Sequence, residues 1–150
     1  MIQLTTALLA GLFIFFTAKS QPNNNNLRQK ILGNWRFESG KYMYFDQANQ
    51  KLKESDLTEL KEMAVVVEPK FAKIIYPDKE EYTGTYSFFG KKGKQYVTFR
   101  LQEKTIQYQI TSISHSAITL QARHNIQFFV DGDENKRAAY SVVAMTFRRR

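Results

Sequence analysis

The sequence predicts an all-β domain: an antiparallel up-and-down barrel of about eight or nine strands with one short helix. Three observations carry this. Apolar and polar residues alternate in segment after segment, the period of half-buried strands. Turns rich in Gly, Pro, Asn, Asp and Ser separate those segments at short intervals. No long crossover intervenes, so successive strands form hairpins, and closing them into a barrel removes exposed sheet edges.

Residues 1–20 read as a signal peptide. The apolar run Ala7 to Phe16 has about the length of a signal core. Ala18 and Ser20 are small residues where a signal peptidase needs them, so cleavage would leave Gln21 first. The stretch before the run has no Lys or Arg. The other reading is an uncleaved anchor, but Ile2 to Ala18 would reach only about 25 Å as a helix, against a hydrocarbon core of about 30 Å. Export to a periplasm or the extracellular space is therefore expected, with no membrane span after cleavage. Residues 21–26 hold nothing apolar to bury and are expected to be a flexible leader. Residues 27–150 form the domain, long enough to bury a core.

Within it, Asn26 to Leu32 suits one or two helical turns, with Leu27, Ile31 and Leu32 on one side. Asn34 to Phe45 reads as a long aromatic strand, broken near Gly40. Ser55 to Met63 is the better helix. Asp56 can cap it, Glu59 stands three residues on, and Leu57, Leu60 and Met63 recur at helical spacing. It would serve as a lid over an open barrel end or simply pack on the surface. Ala64 to Glu68 and Phe71 to Tyr76 are shorter strands separated around Pro69, and Tyr76 to Lys79 is a turn. Tyr82 to Phe89 and Gln95 to Leu101 form a hairpin about Gly90-Lys-Lys-Gly93. Thr105 to Thr111, Ala117 to Arg123, Ile126 to Val130 and Ala138 to Arg148 continue the alternation. Ser112 to Ser116 and Asp131 to Asn135 are turns.

The chain has no cysteine, which removes disulfide scaffolds, thiol chemistry and thiolate zinc sites together. The apolar core alone must hold the domain, which suits a bacterial envelope. The net charge is +8, or +7 without Lys19. Lys91, Lys92 and Lys94 cluster, as do Lys136 with Arg137 and Arg148 to Arg150. These make either a solvated basic surface or an attraction for anionic partners, such as lipid headgroups or an acidic envelope protein. Export argues against nucleic acid.

Leu32-Gly33-Asn34-Trp35 places a Gly-x-Trp at the start of the first strand. Gly84-Thr85-Tyr86-Ser87, the hairpin from Tyr108 to Leu120 and the ending Thr146-Phe147-Arg148 complete a pattern. In these pieces the chain resembles the compact lipocalin-like domains of exported bacterial proteins. The resemblance implies a calycin-like β-barrel in which Gly33 and Trp35 belong to a closed end. An Arg of the last strand would pack over the indole there, Arg148 by position and Arg149 as the alternative. The Thr-Asp-Tyr signature of full lipocalins is not evident, and no helix follows the last strand.

Phe37, Tyr86, Phe88, Phe99, Tyr108 and Phe128 are the candidate barrel interior, either filling the core or lining a ligand cavity. Catalysis has little support. His115 sits in a Ser-His-Ser turn and His124 at a strand end, and neighbours in one turn do not make a triad. Asp131, Asp133 and Asn135 begin like a calcium loop, but Lys136 and Val142 stand where Gly and Glu belong. The sequence therefore points to a non-enzyme without cofactor or metal, binding a small hydrophobic or anionic amphiphilic ligand in the barrel. Ser55–Met63 and the Lys91–Lys94 loop would gate entry if they share the open end. The alternative is a packed barrel docking an acidic envelope partner through its basic surface.

Overall fold

The computed structural model describes residues 24–102 and 104–150. The expected signal peptide lies outside these residues. Among them are one helix, α1 (Asn24–Ile31), and nine strands: β1 (Gly33–Phe45), β2 (Lys51–Asp56), β3 (Ala64–Val67), β4 (Ala72–Ile75), β5 (Glu81–Lys91), β6 (Lys94–Leu101), β7 (Thr105–Ile113), β8 (Ala117–Asp131) and β9 (Glu134–Arg149). All neighbours pair antiparallel. The order runs β1-β3-β4-β5-β6-β7-β8-β9 and closes where β9 returns to β1, so eight strands form an up-and-down barrel. β2 is the extra strand. It pairs with the far half of β1, from Lys41↔Asp56 to Phe45↔Lys51, while β3 takes the near half, from Gly33↔Val67 to Arg36↔Ala64.

The alternation in the sequence becomes inside and outside. Along β9, Val143, Met145 and Phe147 are buried, and on β8 Ile118 and Leu120 face them in register. Trp35, Phe99, Phe147, Ile31, Ile74 and Val97 are almost wholly buried. Full burial of one such aliphatic or Phe side chain contributes about 1.5–3 kcal/mol, and no disulfide assists. Two glycines are required by the wall. At Gly84 a Cβ would lie 1.9 Å from the Arg100 carbonyl oxygen, so β5 and β6 approach too closely for any side chain. Gly33 enters β1 with φ 130, a backbone that L side chains rarely adopt.

Four local expectations are corrected. The leader was expected to run through Asn26, but Asn24–Asn26 form the first turn of α1; asparagine is well accepted at helix starts. Ser55 to Met63 is not a helix. Ser55 and Asp56 belong to β2, and only Thr58–Leu60 makes a 3-10 turn. The reason is that the sheet claims the backbone first: the Leu57 N–H donates to the Gly40 carbonyl at 2.9 Å, and the Phe37 N–H to the Met63 carbonyl at 2.8 Å. Third, the break in β1 is a bulge between Phe37 and Ser39 rather than an interruption at Gly40. Fourth, Ala117 to Arg123 and Ile126 to Val130 are not two strands but one, β8, paired with β9 along its length.

Strand direction separates the ends of the barrel. α1, the β3–β4 turn, the Lys92-Gly93 turn and the Ser114–Ser116 turn lie at one end. The β4–β5, β6–β7 and β8–β9 turns lie at the other. Lys91, Lys92 and Lys94 are thus at the α1 end. They do not share an end with the β4–β5 and β6–β7 turns, beside which the 3-10 turn packs, and the expected common gate is not formed.

Candidate functional site

The α1 end is sealed. Leu27 and Ile31 of the helix are buried, and the Trp35 indole N–H donates to the Ile31 carbonyl at 2.7 Å. The cation over the indole is Arg149, its guanidinium 4.6 Å from the ring centroid. Its Nη2 also donates to the Lys30 carbonyl at 2.6 Å. Arg148, the expected partner, points outward and donates to Glu38 at 2.5 Å. Strand parity decides this: Phe147 is inward, so Arg148 is outward and Arg149 inward again, in register with Trp35. Gly33 belongs to the same closure, because Arg149 lies 3.5 Å from where its Cβ would be.

The opposite end holds a cavity of about 390 Å³. Ile106, Tyr108, Ala122, Val143 and Met145 line it from the wall, and Tyr42 and Tyr76 add two more rings. Leu57, Leu60 and Met63 close one side, so the segment expected as a lid does border the cavity, as a turn rather than a helix. Polar groups also line it: Glu59, Thr105, Gln107, Arg123 and His124. Lys104 stands beside them, its ammonium 3.9 Å from the centroid of Tyr82 and 5.3 Å from that of Tyr76.

The three tyrosines sense one another. Burial pushes the Tyr108 hydroxyl well above the ordinary phenol range, and the neighbouring Tyr76 and Tyr42 push it the same way. Burial also raises Tyr42, with help from Tyr44 and Glu59, and it raises Tyr76, with help from Asp78 and Glu80. All three therefore remain neutral hydroxyls, able to donate a hydrogen bond into a mostly apolar space.

Of the candidate interior residues, Tyr108 lines this cavity. Phe37 and Phe99 are buried in the packed core, where Phe37 meets Phe147 edge-on at 5.8 Å and Phe99 meets Tyr108 at 6.3 Å. Tyr86 and Phe88 pack against that core as a T-shaped pair. Phe128 is a correction: it is 65% exposed on the β8–β9 hairpin. The cause is Ile126, which adopts a left-handed φ of 50 and shifts the phase of the strand. After it Phe129, not Phe128, is buried, 4.8 Å from the Tyr44 ring. Sequence reasoning missed Tyr42, Tyr76, Ile106 and Met145 as a site. Their inward parity was visible in part, but their common height in the barrel was not.

A groove of about 510 Å³ lies on the outer wall between the 3-10 turn and Ala144 and Thr146. Ser114 and Ser116 are engaged in their own turn, with the Ala117 N–H donating to Ser114 Oγ at 3.0 Å. Lys136 donates to Asp131 at 2.7 Å, so an ion pair braces the hairpin where a calcium loop was considered. Among the described residues no group of three or more His, Asp or Glu is placed to hold a metal, and no helix is long and apolar enough to cross a membrane. No family model, curated protein or solved structure matches the chain.

Proposed function

We propose that this protein is an exported, non-enzymatic, lipocalin-like carrier that holds a small anionic amphiphile in the open end of its barrel. The observation that carries the reading is the cavity of about 390 Å³, within the size range of small-molecule sites. Its apolar wall suits a short tail. The neutral Tyr42, Tyr76 and Tyr108 hydroxyls offer hydrogen bonds, and Arg123 and Lys104 supply positive charge near the rim. These two cations take the headgroup role expected of Lys91, Lys92 and Lys94, which lie at the sealed end. The Trp35–Arg149 closure with α1 over it fits the same layout, one end plugged and the other receptive.

The test uses a fluorescent fatty-acid analogue and native mass spectrometry of the purified protein. One probe should bind per chain. Ala122→Trp, which fills the cavity, should abolish uptake, while Lys91→Glu/Lys92→Glu should leave it unchanged. No uptake of either acidic or neutral probes, or uptake indifferent to Ala122→Trp, would overturn the proposal.

A further inference from the structure

The β8–β9 hairpin extends beyond the barrel wall. β7 accompanies β8 only as far as Gln109↔Gln121, whereas β9 stays paired with it to Asp131↔Glu134. From Ala122 onward, β8 therefore has no strand on its other side among the described residues. The Lys53 ammonium takes the Val130 carbonyl, so the open main-chain edge runs from Ala122 to Phe129. Along it Ile126, Phe128 and Val130 are 55%, 65% and 58% exposed.

Natural sheets protect such edges with brevity and charge. The sheet's other free edge follows that rule: β2 is six residues, four of them charged, Lys51, Lys53, Glu54 and Asp56. β8 does the opposite. Asn125 to Val130 carries no charge and has two adjacent phenylalanines. Ile126 is also strained, a β-branched residue at φ 50, yet the ladder to β9 runs on through Asn125↔Tyr140 and Gln127↔Ala138. That left-handed residue is what turns Phe128 to the exposed side.

We infer that the occupant of this edge is a second copy of the same chain, paired antiparallel β8 to β8. Charge argues for the copy and for its direction. The free segment begins with Arg123 and His124 and ends in an acidic turn with Asp131, Asp133 and Glu134. In an antiparallel pair centred near Gln127, the cationic start of each strand lies beside the acidic turn of the other. A parallel pair would set like charges together. The same acidic turn disfavours an anionic membrane as the partner of the apolar stripe. The contact is isologous, so it closes as a two-fold dimer. Its size is at the low end for specific interfaces, which places dissociation in the range of about 10 µM.

Sedimentation velocity of the purified protein from about 1 to 500 µM reads the outcome directly. The expected result is a monomer–dimer equilibrium that Phe128→Lys weakens by at least about tenfold, with an unchanged Tm because the residue is exposed. Ile126→Lys is a second variant should that one not fold. Leu52→Lys on β2, also exposed, leaves the equilibrium unchanged. Asp131→Lys/Asp133→Lys weakens association, and adding Arg123→Glu/His124→Glu to that chain restores it, because the two ends are again opposite in sign. A protein that stays monomeric throughout, a dimer indifferent to Phe128→Lys, or a charge-swapped chain that fails to recover overturns the inference.

Discussion

Replacing Arg149 and replacing its neighbour Arg148 should have very different consequences. Arg149 lies over Trp35 at 4.6 Å and donates to the Lys30 carbonyl at 2.6 Å, in a partly buried setting. A desolvated cation–π contact contributes about 2 kcal/mol, and a hydrogen bond from a charged group about 1.5–3 kcal/mol. Against these, the Arg149 Nε is buried without a partner, and removing that group relieves about 1 kcal/mol. Arg149→Ala should therefore cost about 3 kcal/mol. Arg148 bonds Glu38 where the side chains are 61% and 38% exposed, and such a surface pair contributes about 0–1 kcal/mol. Urea unfolding followed by fluorescence measures both, since Trp35 is the only tryptophan and reports on the closed end itself. Arg149→Lys should fall between, keeping the charge but not the planar fork. If Arg148→Ala lowers the urea midpoint as much as Arg149→Ala at equal m, the closure described here is wrong.

Four other outcomes follow from single sites. Gly84→Ala must part β5 from β6, because its Cβ would sit 1.9 Å from the Arg100 carbonyl; a loss of about 3 kcal/mol or more is expected, and a loss under about 1 kcal/mol would contradict the close approach. Ile126→Asn relieves a left-handed β-branched residue and should raise stability by about 0.5–1 kcal/mol in a thermal or urea melt. The Glu54 carboxyl is held down at about 2 by hydrogen bonds from Lys41 and Lys51. Its folded pKa lies below its unfolded one, so its contribution is present above pH about 4.5 and is lost as pH falls toward 2; Glu54→Gln should flatten the acid side of the stability profile in that window. Tyr108 is raised by burial and by Tyr76 and Tyr42. The unfolded chain then ionises first, so stability falls as pH rises above about 10, and Tyr108→Phe should reduce that alkaline loss.

The barrel was legible because period-2 patterning reports inside and outside at each residue. Val143, Met145 and Phe147 share a face in the sequence and are buried together in β9. Three things escaped, each for a physical reason. Strand parity past a bulge or a left-handed residue cannot be counted from residue types: nothing in Ile126 announces φ 50, and so Phe128 was placed where Phe129 lies. The same counting separates Arg148 from Arg149. Competition between local and non-local bonds is also silent. Leu57, Leu60 and Met63 have helical spacing, but the Leu57 N–H goes to Gly40 across the sheet instead. Finally, alternation does not give height. Barrel strands are tilted, so residues as distant in sequence as Tyr42, Tyr108 and Val143 meet at one level, and the sequence offers no measure of that stagger.

The two ends of the barrel make opposite demands on the same interior. Closure of the strands satisfies the backbone whatever fills the middle, so side-chain volume is free to be distributed unevenly. At the α1 end Trp35, Phe147 and Ile31 pack to completion. At the other end about 390 Å³ is left. Were that space dry and empty it would cost about 9 kcal/mol, at about 24 cal/mol per Å³ of cavity, comparable to the whole net stability of a small domain, about 5–15 kcal/mol. A chain without disulfides could not carry that. Thr105, Gln107 and His124 make the space wettable, which removes most of the cost. Water against Ile106, Val143 and Met145 finds few partners there, and displacing poorly held water with an apolar group is favourable. The cavity is thus tolerable when wet and better when filled by something apolar at one end and polar at the other, a requirement that follows from volume and lining alone.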